Sequence, residues 1–378
     1  MTATTMSFRS LAKEGSQDLA SVRRHLDALL AQGREVGLQY AAVSDSAFLL
    51  HYAGGVRDAA LAEPVTDQTL FLSASSTKVL TALALLQLAE RGALSLQDPL
   101  SRFVPHQPYG DGVLLSQLLN HSSGVPNPLP LRWVHTQAQH AQYDERAILD
   151  SVLRAHPKRA FEPGARYLYS NLSYWLLGRV IETVSGLRYQ DYLEQHVLAP
   201  LEIPAAELSC EIPEGAELAR GHVRRWSARC LALPLMAGRQ SLLAPAGKWS
   251  RMPHLYMNGA AYGGARATAR AYGRFLQDML RPRSRLLTGE SREQFFAPQR
   301  DRRGRPLPTT LGWHTGELAG EPYLSKPGGG PGFNSNLRIY PRRRVASVYL
   351  SNQMRASEAE IQRFSDAVDR ALLADVGA

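Results

Sequence analysis

SSTKVLTALALLQLA, residues 75–89, places a serine and a lysine three positions apart at the start of a long apolar run. Residues i and i+3 share one face of a helix, so a helix that starts near Ser75 puts Lys78 beside the serine hydroxyl. The positive end of the helix dipole stabilises a developing alkoxide there. The run is apolar on most sides, which predicts a buried helix that ends before Gly92. Burial lowers the pKa of a lysine, which can then accept the serine proton.

Lysine is rare in this chain, and this makes Lys78 more informative. Only five of the 43 basic residues are lysine. Arginine stays charged in proteins, whereas lysine can be deprotonated. A second serine-x-x-lysine, Ser10 to Lys13, lies in a polar stretch and is interpreted as chance. The sequence therefore predicts Ser75 as nucleophile and Lys78 as its base, and the alternative is a lysine that packs its stem in the core and extends its amine to solvent.

A second motif, Tyr169-Ser170-Asn171, follows Pro163-Gly164 at the start of another predicted helix. A tyrosine phenol near a lysine ammonium should have a lowered pKa and could shuttle a proton. The competing interpretation is a packing tyrosine followed by a helix cap, because Tyr256-Met257-Asn258 has the same spacing.

A third motif is the glycine-rich stretch KPGGGPGF, residues 326–333. Glycines that lead into a strand indicate close approach of the backbone to another group. Backbone N–H groups there could form half of an oxyanion hole, with the Ser75 N–H as the other half. The alternative is a hairpin loop.

The remaining sequence predicts an α/β fold, namely an antiparallel sheet flanked by helices from both termini with a mostly helical subdomain inserted between them. We expect a single domain over 1–378, with the α/β part at about 16–74 and 281–378 and the helical part at about 75–280. Periodicity and turn residues place the predicted helices and strands. Helices are expected at 16–32, 75–91, 115–119, 147–155, 172–185, 189–197, 265–280 and 357–374, and strands at 39–44, 47–54, 311–317, 335–340 and 345–351.

Composition excludes several classes of protein. The net charge is +9, but the arginines are scattered and no nucleic-acid-binding motif accompanies them, so a basic enzyme is favoured over a nucleic-acid partner. Cys210 and Cys230 form no metal-binding pattern, which predicts reduced thiols and neither metal nor cofactor. The longest apolar run is too short to span a bilayer, so no membrane association is expected. The first residues lack a secretory pattern, which predicts a cytoplasmic protein.

Taken together and in this order, the three motifs resemble those of the serine β-lactamase and penicillin-binding protein superfamily, above all the class C β-lactamases with their related esterases and D-amino peptidases. The resemblance runs from about 39 to 352. It includes accessory patterns at LLNHSSG (118–124), at Pro163-Gly164 and at Gly263-Gly264.

The resemblance implies a role for each matching residue. Ser75 would become acylated, Lys78 would take or relay its proton, and Tyr169 would act as the other general acid and base. Asn171 would hydrogen-bond Lys78 or the substrate amide.

On the third motif, the resemblance implies that Lys326 lies on an inner strand facing the pocket. Gly328 and Gly329 would form the substrate-binding edge, with the Gly329 N–H completing the oxyanion hole. β-Lactamases generally have Lys-Thr-Gly or Lys-Ser-Gly here, whereas this chain has Pro327, which supplies neither a hydroxyl nor an N–H. This departure disfavours a β-lactam substrate.

Four further side chains near the motifs carry weaker signals. His121 belongs to an accessory pattern and is predicted to be a hydrogen-bonded structural histidine. Trp133, Trp313 and Phe333 could line an acyl pocket, but packing is the favoured interpretation.

The leading functional hypothesis is a serine hydrolase of small esters or amides, with a small-molecule partner and unknown oligomeric state. Acyl transfer to another acceptor and hydrolysis of D-amino-acid peptides share the same acyl-enzyme step and stay open. A ligand-binding or covalent sensor protein is the non-enzyme alternative. Residues 126–146 and 231–262 are expected to set the acceptor specificity.

Overall fold

The computed structural model describes residues 19–128, 133–227, 230, 243–355 and 357–377. The helices are numbered here in chain order. They are α1 Ala20–Ala31, α2 Thr77–Glu90, α3 Leu115–Leu119, α4 Gln137–His140, α5 Glu145–Ala155, α6 Asn171–Ser185, α7 Tyr189–Leu193, α8 Ala260–Gly263, α9 Ala269–Leu280, α10 Gly289–Phe296 and α11 Glu358–Asp375. Short 3₁₀ turns cover Ala74–Ser76, Leu100–Arg102 and Ala199–Leu201, and a π-turn covers Glu194–Leu198.

The strands are numbered in the same way. They are β1 Gly37–Ser44, β2 Phe48–Asp58, β3 Glu63–Pro64, β4 Phe71–Leu72, β5 Val134–Thr136, β6 Leu208–Ser209, β7 His222–Arg224, β8 Ala244–Ala246, β9 Trp249–Arg251, β10 Leu255–Met257, β11 Arg266–Ala267, β12 His314–Leu318, β13 Glu321–Gly330, β14 Phe333–Tyr340 and β15 Val345–Ser351.

The main sheet joins the two ends of the chain. In the described residues its order is β12-β13-β14-β15-β1-β2-β3, and every neighbouring pair is antiparallel. The N-terminal strand β1 therefore pairs with the C-terminal strand β15. This confirms the predicted α/β class with an antiparallel sheet.

Side chains of β1 alternate between two hydrophobic cores, as the period of a strand requires. Leu38 and Tyr40 pack with the terminal helices α1 and α11 on one face. Ala41 and Val43 pack on the opposite face with the larger core, which contains α2, α6 and α9. A strand buried on both faces explains why β1 has an almost entirely buried sequence.

Helix α2 lies at the centre of the larger core. Twelve of its residues, from Thr77 to Leu88, are buried, and the helix contacts α6 and α8. Gly178 allows α6 to approach α8 closely, because a Cβ there would come within 2.6 Å of the Ala261 Cβ. The first residues of α2 are thereby held against both the helical layer and the sheet.

Several observed elements differ from the predicted ones: the strand predicted at 311–317 covers His314–Leu318, and the helix predicted at 189–197 is α-helical only to Leu193 before the π-turn. The helix predicted from 265 starts at Ala269, because Arg266 and Ala267 pair as a strand with β4 and β6 and Thr268 then caps the helix. Residues 321–330 form one continuous strand. The resemblance implied a strand only at Lys326, and the local pattern did not predict one, because proline and glycine are unfavourable in strands. The division into α/β and helical parts stays a prediction, although α9, assigned to the helical part, packs on β1 and β15.

Candidate active site

Ser75 lies in the 3₁₀ turn that leads directly into α2. The preceding Ala74 has φ of +45°, a left-handed conformation that costs free energy in a residue other than glycine. Surrounding hydrogen bonds hold the turn: Thr77 Oγ1 donates to the Ala74 carbonyl at 2.7 Å, and Ser73 Oγ donates to the Ala265 carbonyl at 2.8 Å. The turn is thus fixed in a shape that presents Ser75 at the top of the helix.

Lys78 is fully buried one helical turn below Ser75. Its Nζ lies 3.1 Å from Ser75 Oγ, 2.8 Å from Asn171 Oδ1 and 2.5 Å from the Tyr262 carbonyl oxygen. Burial, and then the charge of Lys326, hold the Lys78 pKa well below its usual value. A neutral amine has two N–H donors and one lone pair. Asn171 Oδ1 and the Tyr262 carbonyl oxygen accept from the two N–H groups, so the lone pair is available to accept from the Ser75 hydroxyl.

Tyr169 contacts the same serine from the other side. Its hydroxyl donates to Ser75 Oγ at 2.7 Å. The predicted lowering of the Tyr169 pKa is wrong: burial raises it above the ordinary value, although the hydrogen bond to Ser75 works in the opposite direction. Burial also lowers the pKa of Lys78, so this amine does not supply the positive charge that would stabilise a phenolate. Tyr169 is therefore a neutral donor in the resting site.

The segment that bears Tyr169 is fixed by His121. This buried histidine accepts from the Ser170 N–H through Nδ1 at 3.2 Å, and its carbonyl accepts from the Leu168 N–H at 2.8 Å. Its ring lies 4.5 Å from the Tyr169 ring, centroid to centroid. Ser170 Oγ then caps α6 through the Ser173 N–H. His121 is thus hydrogen-bonded through Nδ1, as expected, whereas its buried Nε2 has no hydrogen-bond partner among the described residues, and its purely structural role stays a prediction.

The third motif forms the opposite wall. A Cβ on Gly328 would come within 2.4 Å of the Ser73 carbonyl oxygen and 3.0 Å of the Ser75 nitrogen. Gly329 is exposed, and a Cβ there would meet only Ile361, at 3.4 Å. In the described residues the pairing of β12 with β13 ends at Ser325, so one edge of β13 is open beyond that residue. Pro327 sits in this part of the strand, where proline is tolerated.

Lys326 is also fully buried, but its surroundings differ from those of Lys78. Its Nζ lies 3.3 Å from His314 Nε2, and 5.3 Å from the centre of the Tyr169 ring. His314 Nδ1 lies 3.0 Å from Glu358 Oε1. Burial lowers the Lys326 pKa to about 8, while the Glu358 carboxylate opposes that shift.

The structure thus brings together Ser75, Lys78, Tyr169, Asn171, Lys326 and Gly328, with Gly329 at the exposed end of the same edge. Sequence reasoning missed Tyr262, His314 and Glu358. Tyr262 contributes a backbone oxygen, for which a side-chain motif carries no signal. His314 and Glu358 belong to β12 and α11, and no local spacing links them to Lys326.

The aromatic candidates pack in the core. Trp313 is fully buried against Phe295 and Phe296. Trp133 is buried in an aromatic cluster with Trp175 and Tyr262, and Phe333 is buried as well.

Some predictions fall outside the described residues: the chance motif at 10–13, the start of the first helix at 16, and parts of the expected specificity segments, at 129–132 and 231–242. Among the helices that the structure describes, none combines the length and the apolar character needed to cross a membrane.

The chain is similar to several known proteins in sequence and in fold. Penicillin-binding protein 4* of Bacillus subtilis is 26% identical over 348 residues, which cover 89% of this chain and 73% of that protein. Protein flp of Staphylococcus aureus strain MW2 is 30% identical over 199 residues, 51% of this chain and 38% of that protein.

Among solved structures, the D-amino acid amidase of Ochrobactrum anthropi SV3 superimposes with a TM-score of 0.78 at 21% identity, covering 94% of this chain and 99% of that one. This likeness concerns the fold. The family model Beta-lactamase matches residues 22–370, nearly the whole chain. The chain therefore belongs to the Beta-lactamase family, whose members include serine hydrolases of the penicillin-binding protein type.

Proposed function

We propose that this protein is a serine hydrolase that cleaves small amides and esters through an acyl-enzyme on Ser75. One observation carries the proposal: Ser75 Oγ is contacted both by a buried lysine amine at 3.1 Å and by a neutral phenol at 2.7 Å. A serine between a proton acceptor and a proton donor has what an activated nucleophile needs.

Acylation begins with proton transfer from Ser75 to the lone pair of Lys78. Ser75 Oγ then bonds the substrate carbonyl carbon, and the carbonyl oxygen becomes an oxyanion. The Ser75 and Gly329 N–H groups are proposed to stabilise that charge, as preorganised donors do in acyl transfer.

Breakdown of the tetrahedral intermediate needs a proton for the leaving nitrogen or oxygen. Tyr169 supplies it from its hydroxyl and recovers a proton from the Lys78 ammonium. In deacylation a water molecule attacks the acyl carbon and loses its proton to the same pair, and Ser75 leaves as a hydroxyl. Acid and base functions thus alternate within one cluster, and the cycle returns Lys78 to its neutral form.

The third motif and the relatives support the proposed substrate class. Pro327 offers no hydroxyl to a carboxylate, which disfavours β-lactams. The structural likeness to a D-amino acid amidase supports amides as substrates. Peptides of D-amino acids and acyl transfer to another acceptor use the same steps and form the second candidate. A covalent sensor protein would become acylated at Ser75 and would not release the acyl group.

The experiment measures hydrolysis of short p-nitrophenyl esters and p-nitroanilides, with a chromogenic cephalosporin for comparison. Ser75→Ala should lower kcat/KM by at least ~10³-fold, because removal of the nucleophile leaves only binding and the oxyanion hole. Ser116→Ala, which makes the same change on α3 outside the site, is the matched control. Mass spectrometry of the intact protein should find the added acyl mass, and peptide mapping after digestion should assign it to the peptide that contains Ser75.

Equal turnover by the wild type and Ser75→Ala would refute the nucleophile. Acylation of Ser75 without turnover would replace the hydrolase by the sensor. Cephalosporin cleavage faster than ester cleavage would overturn the assignment of substrate class.

A further inference from the structure

We propose that His314 and Glu358 are positioning residues that keep the Lys326 amine protonated and held beside Tyr169, where its charge assists transfer of the Tyr169 proton to the leaving group. The proposal rests on the proposed function and adds two residues to it. Both lie outside the three motifs, and both act on the reaction through Lys326.

The first support is a line of polar contacts that starts at the surface and ends at the buried amine. The Glu358 side chain is 49% exposed, and its Oε1 lies 3.0 Å from His314 Nδ1. His314 Nε2 lies 3.3 Å from Nζ of the fully buried Lys326. Within the part of the chain that the structure describes, His314 is the one hydrogen-bond partner of this amine. The direction of the amine therefore depends on His314.

The proton positions along this line follow from the donors available. A charged lysine has only donors, so His314 Nε2 must accept. The ring proton is then on Nδ1 and is donated to the Glu358 carboxylate, and this bond fixes the tautomer. His314 is neutral in this arrangement, in agreement with a pKa that burial lowers. The carboxylate therefore balances the Lys326 charge, and the neutral ring connects the two groups.

Helix α11 holds the carboxylate in place. Glu358 is the first residue of the helix. Further along, Asp366 forms an ion pair with the fully buried Arg338 of β14 at 2.6 Å. Gln362 Nε2 donates to Ser325 Oγ of β13 at 2.9 Å. These contacts fix the register of the helix against the strand that bears the lysine, so the distance between carboxylate and amine is set by the fold.

The Lys326 charge lies beside the group that protonates the leaving atom. Its Nζ is 5.3 Å from the centre of the Tyr169 ring, and the Lys78 amine is 5.2 Å from the same point. When the Tyr169 O–H bond breaks and the proton moves to the leaving nitrogen, the phenol becomes a phenolate until it takes the proton of the Lys78 ammonium. A permanent positive charge nearby lowers the free energy of that phenolate. Burial lowers the Lys78 pKa and the Lys326 charge lowers it further, so the same charge helps to keep the base neutral before each turnover.

The charge of Lys326 depends on groups from every element around it. The titratable side chains near it are Lys78 of α2, His121 after α3, Tyr169 before α6, Tyr174 of α6, His314 of β12 and Glu358 of α11. Burial raises the pKa values of both tyrosines and lowers those of Lys78 and His121, so all four are neutral in the resting site. Burial also lowers the Lys326 pKa, to about 8, and among these groups Glu358 is the anion that opposes this effect.

The test is the pH profile of kcat/KM for a p-nitroanilide, whose leaving nitrogen needs a proton. In the wild type we expect activity to fall as pH rises through the Lys326 pKa of about 8, because the ammonium is lost. A carboxylate favours the charged form, so its removal lowers that pKa. In Glu358→Gln the falling limb should therefore move to lower pH by about one unit, with roughly 10-fold less activity on the alkaline side. His314→Leu, which removes the acceptor, should move the limb at least as far.

Further variants show whether the shift passes through Lys326. Arginine stays charged without help from a carboxylate, so Lys326→Arg should abolish the falling limb between about pH 7 and 9. When Glu358→Gln is added to Lys326→Arg, that part of the profile should stay unchanged. Glu360→Gln is the matched control, because this residue lies on the same helix and pairs with Arg355. It should leave the wild-type limb in place.

Three results would overturn the proposal. The first is a falling limb that stays in place in Glu358→Gln. The second is a loss of activity in Glu358→Gln that is equal at every pH, because a merely structural role has that effect. The third is a falling limb that persists unchanged in Lys326→Arg, since the limb would then belong to another group.

Failure of the proposed function looks different. If no substrate is hydrolysed in a Ser75-dependent way, the proposed function falls, and the Lys326 charge is then measured directly. The chain has five lysines, so ¹³C labelling of lysine at Cε gives few NMR signals, and the signal missing from Lys326→Arg belongs to Lys326. Its titration should lie about one pH unit lower in Glu358→Gln than in the wild type. The same titration in both proteins refutes the role of Glu358.

Discussion

Two lysines face the candidate nucleophile from two walls, and they differ in what surrounds them. On the helical wall, Lys78 contacts an amide oxygen and a backbone carbonyl, both uncharged. On the sheet wall, Lys326 is connected through His314 to a carboxylate. Both amines are fully buried. Burial alone therefore does not assign their roles, whereas the charge of the groups around each amine does.

The difference separates two tasks. Neutral acceptors leave the effect of burial nearly unopposed, and burial holds the Lys78 pKa well below its usual value, which favours a neutral amine as proton acceptor. A carboxylate partner keeps the Lys326 pKa at about 8, so this amine is mostly charged at neutral pH. The helical wall is thus suited to chemistry and the sheet wall to recognition of charge.

The largest effect is expected when Lys78, on the helical wall, is replaced by a residue that stays permanently charged. Lys78→Arg should lower kcat by ~10⁴-fold, because arginine cannot accept the serine proton. Lys326→Arg keeps the charge of the sheet wall and should cost about 10-fold at most. Ester hydrolysis and the melting temperature of both variants are the measurements. Similar losses in two equally folded variants would remove the distinction between the walls.

A second change removes the proton donor but keeps the ring. Tyr169→Phe should lower kcat by ~10³-fold for anilides, whose leaving nitrogen needs a proton. It should cost less for p-nitrophenyl esters, whose leaving group departs as an anion. The comparison of the two substrates is the readout. Equal losses for both would assign Tyr169 to activation of Ser75 alone.

The packing of the sheet wall against Ser75 is tested by a pair of glycines. Gly328→Ala should lower kcat/KM by ~10²-fold, because the new methyl group would push β13 away from the Ser73 and Ser75 backbone. Gly329→Ala adds the same methyl at an exposed position and should change kcat/KM less than about 3-fold. Steady-state kinetics on one ester compares them. A more damaging Gly329→Ala would contradict the described position of this edge.

The smallest effect is expected when a carboxylate is introduced beside Lys78, as Glu358 is linked to Lys326 on the sheet wall. Asn171→Asp places an opposite charge beside Lys78, which favours the ammonium and raises its pKa. Activity that needs the neutral amine rises with pH through that pKa, so the rising limb should move to higher pH by about one unit, with ~10-fold less activity below it. The pH profile of kcat/KM is the measurement. A limb that moves to lower pH would exclude Lys78 as the base.

The sequence predicted most of the helical wall because its signals are local. Ser75 and Lys78 lie one helical turn apart, and Ser170-Asn171 starts a periodic apolar helix. Where an answer depended on solvation, sequence reasoning failed: the Tyr169 pKa was expected to fall, and burial raises it.

The sheet wall was predicted less well. The strand β13 is hard to predict because it contains residues with poor strand propensity, namely Pro322, Pro327 and the glycines 328–330. Its pairing with β14 and, up to Ser325, with β12 outweighs that poor propensity. His314 and Glu358 are 44 positions apart in the sequence, and no local spacing indicates that they are neighbours. Only the docking of α11 on the sheet brings them together.

By itself, the sequence determined the α/β class, the helix that presents Ser75 and Lys78, and the order of the three motifs, because periodicity and spacing within one element are written in consecutive residues. The tertiary structure alone decided which oxygens hold the Lys78 amine, that Tyr169 stays neutral, and that Lys326 is tied to Glu358. Those properties depend on burial and on charges from distant elements, and the free energy of a charge is set by everything around it in space.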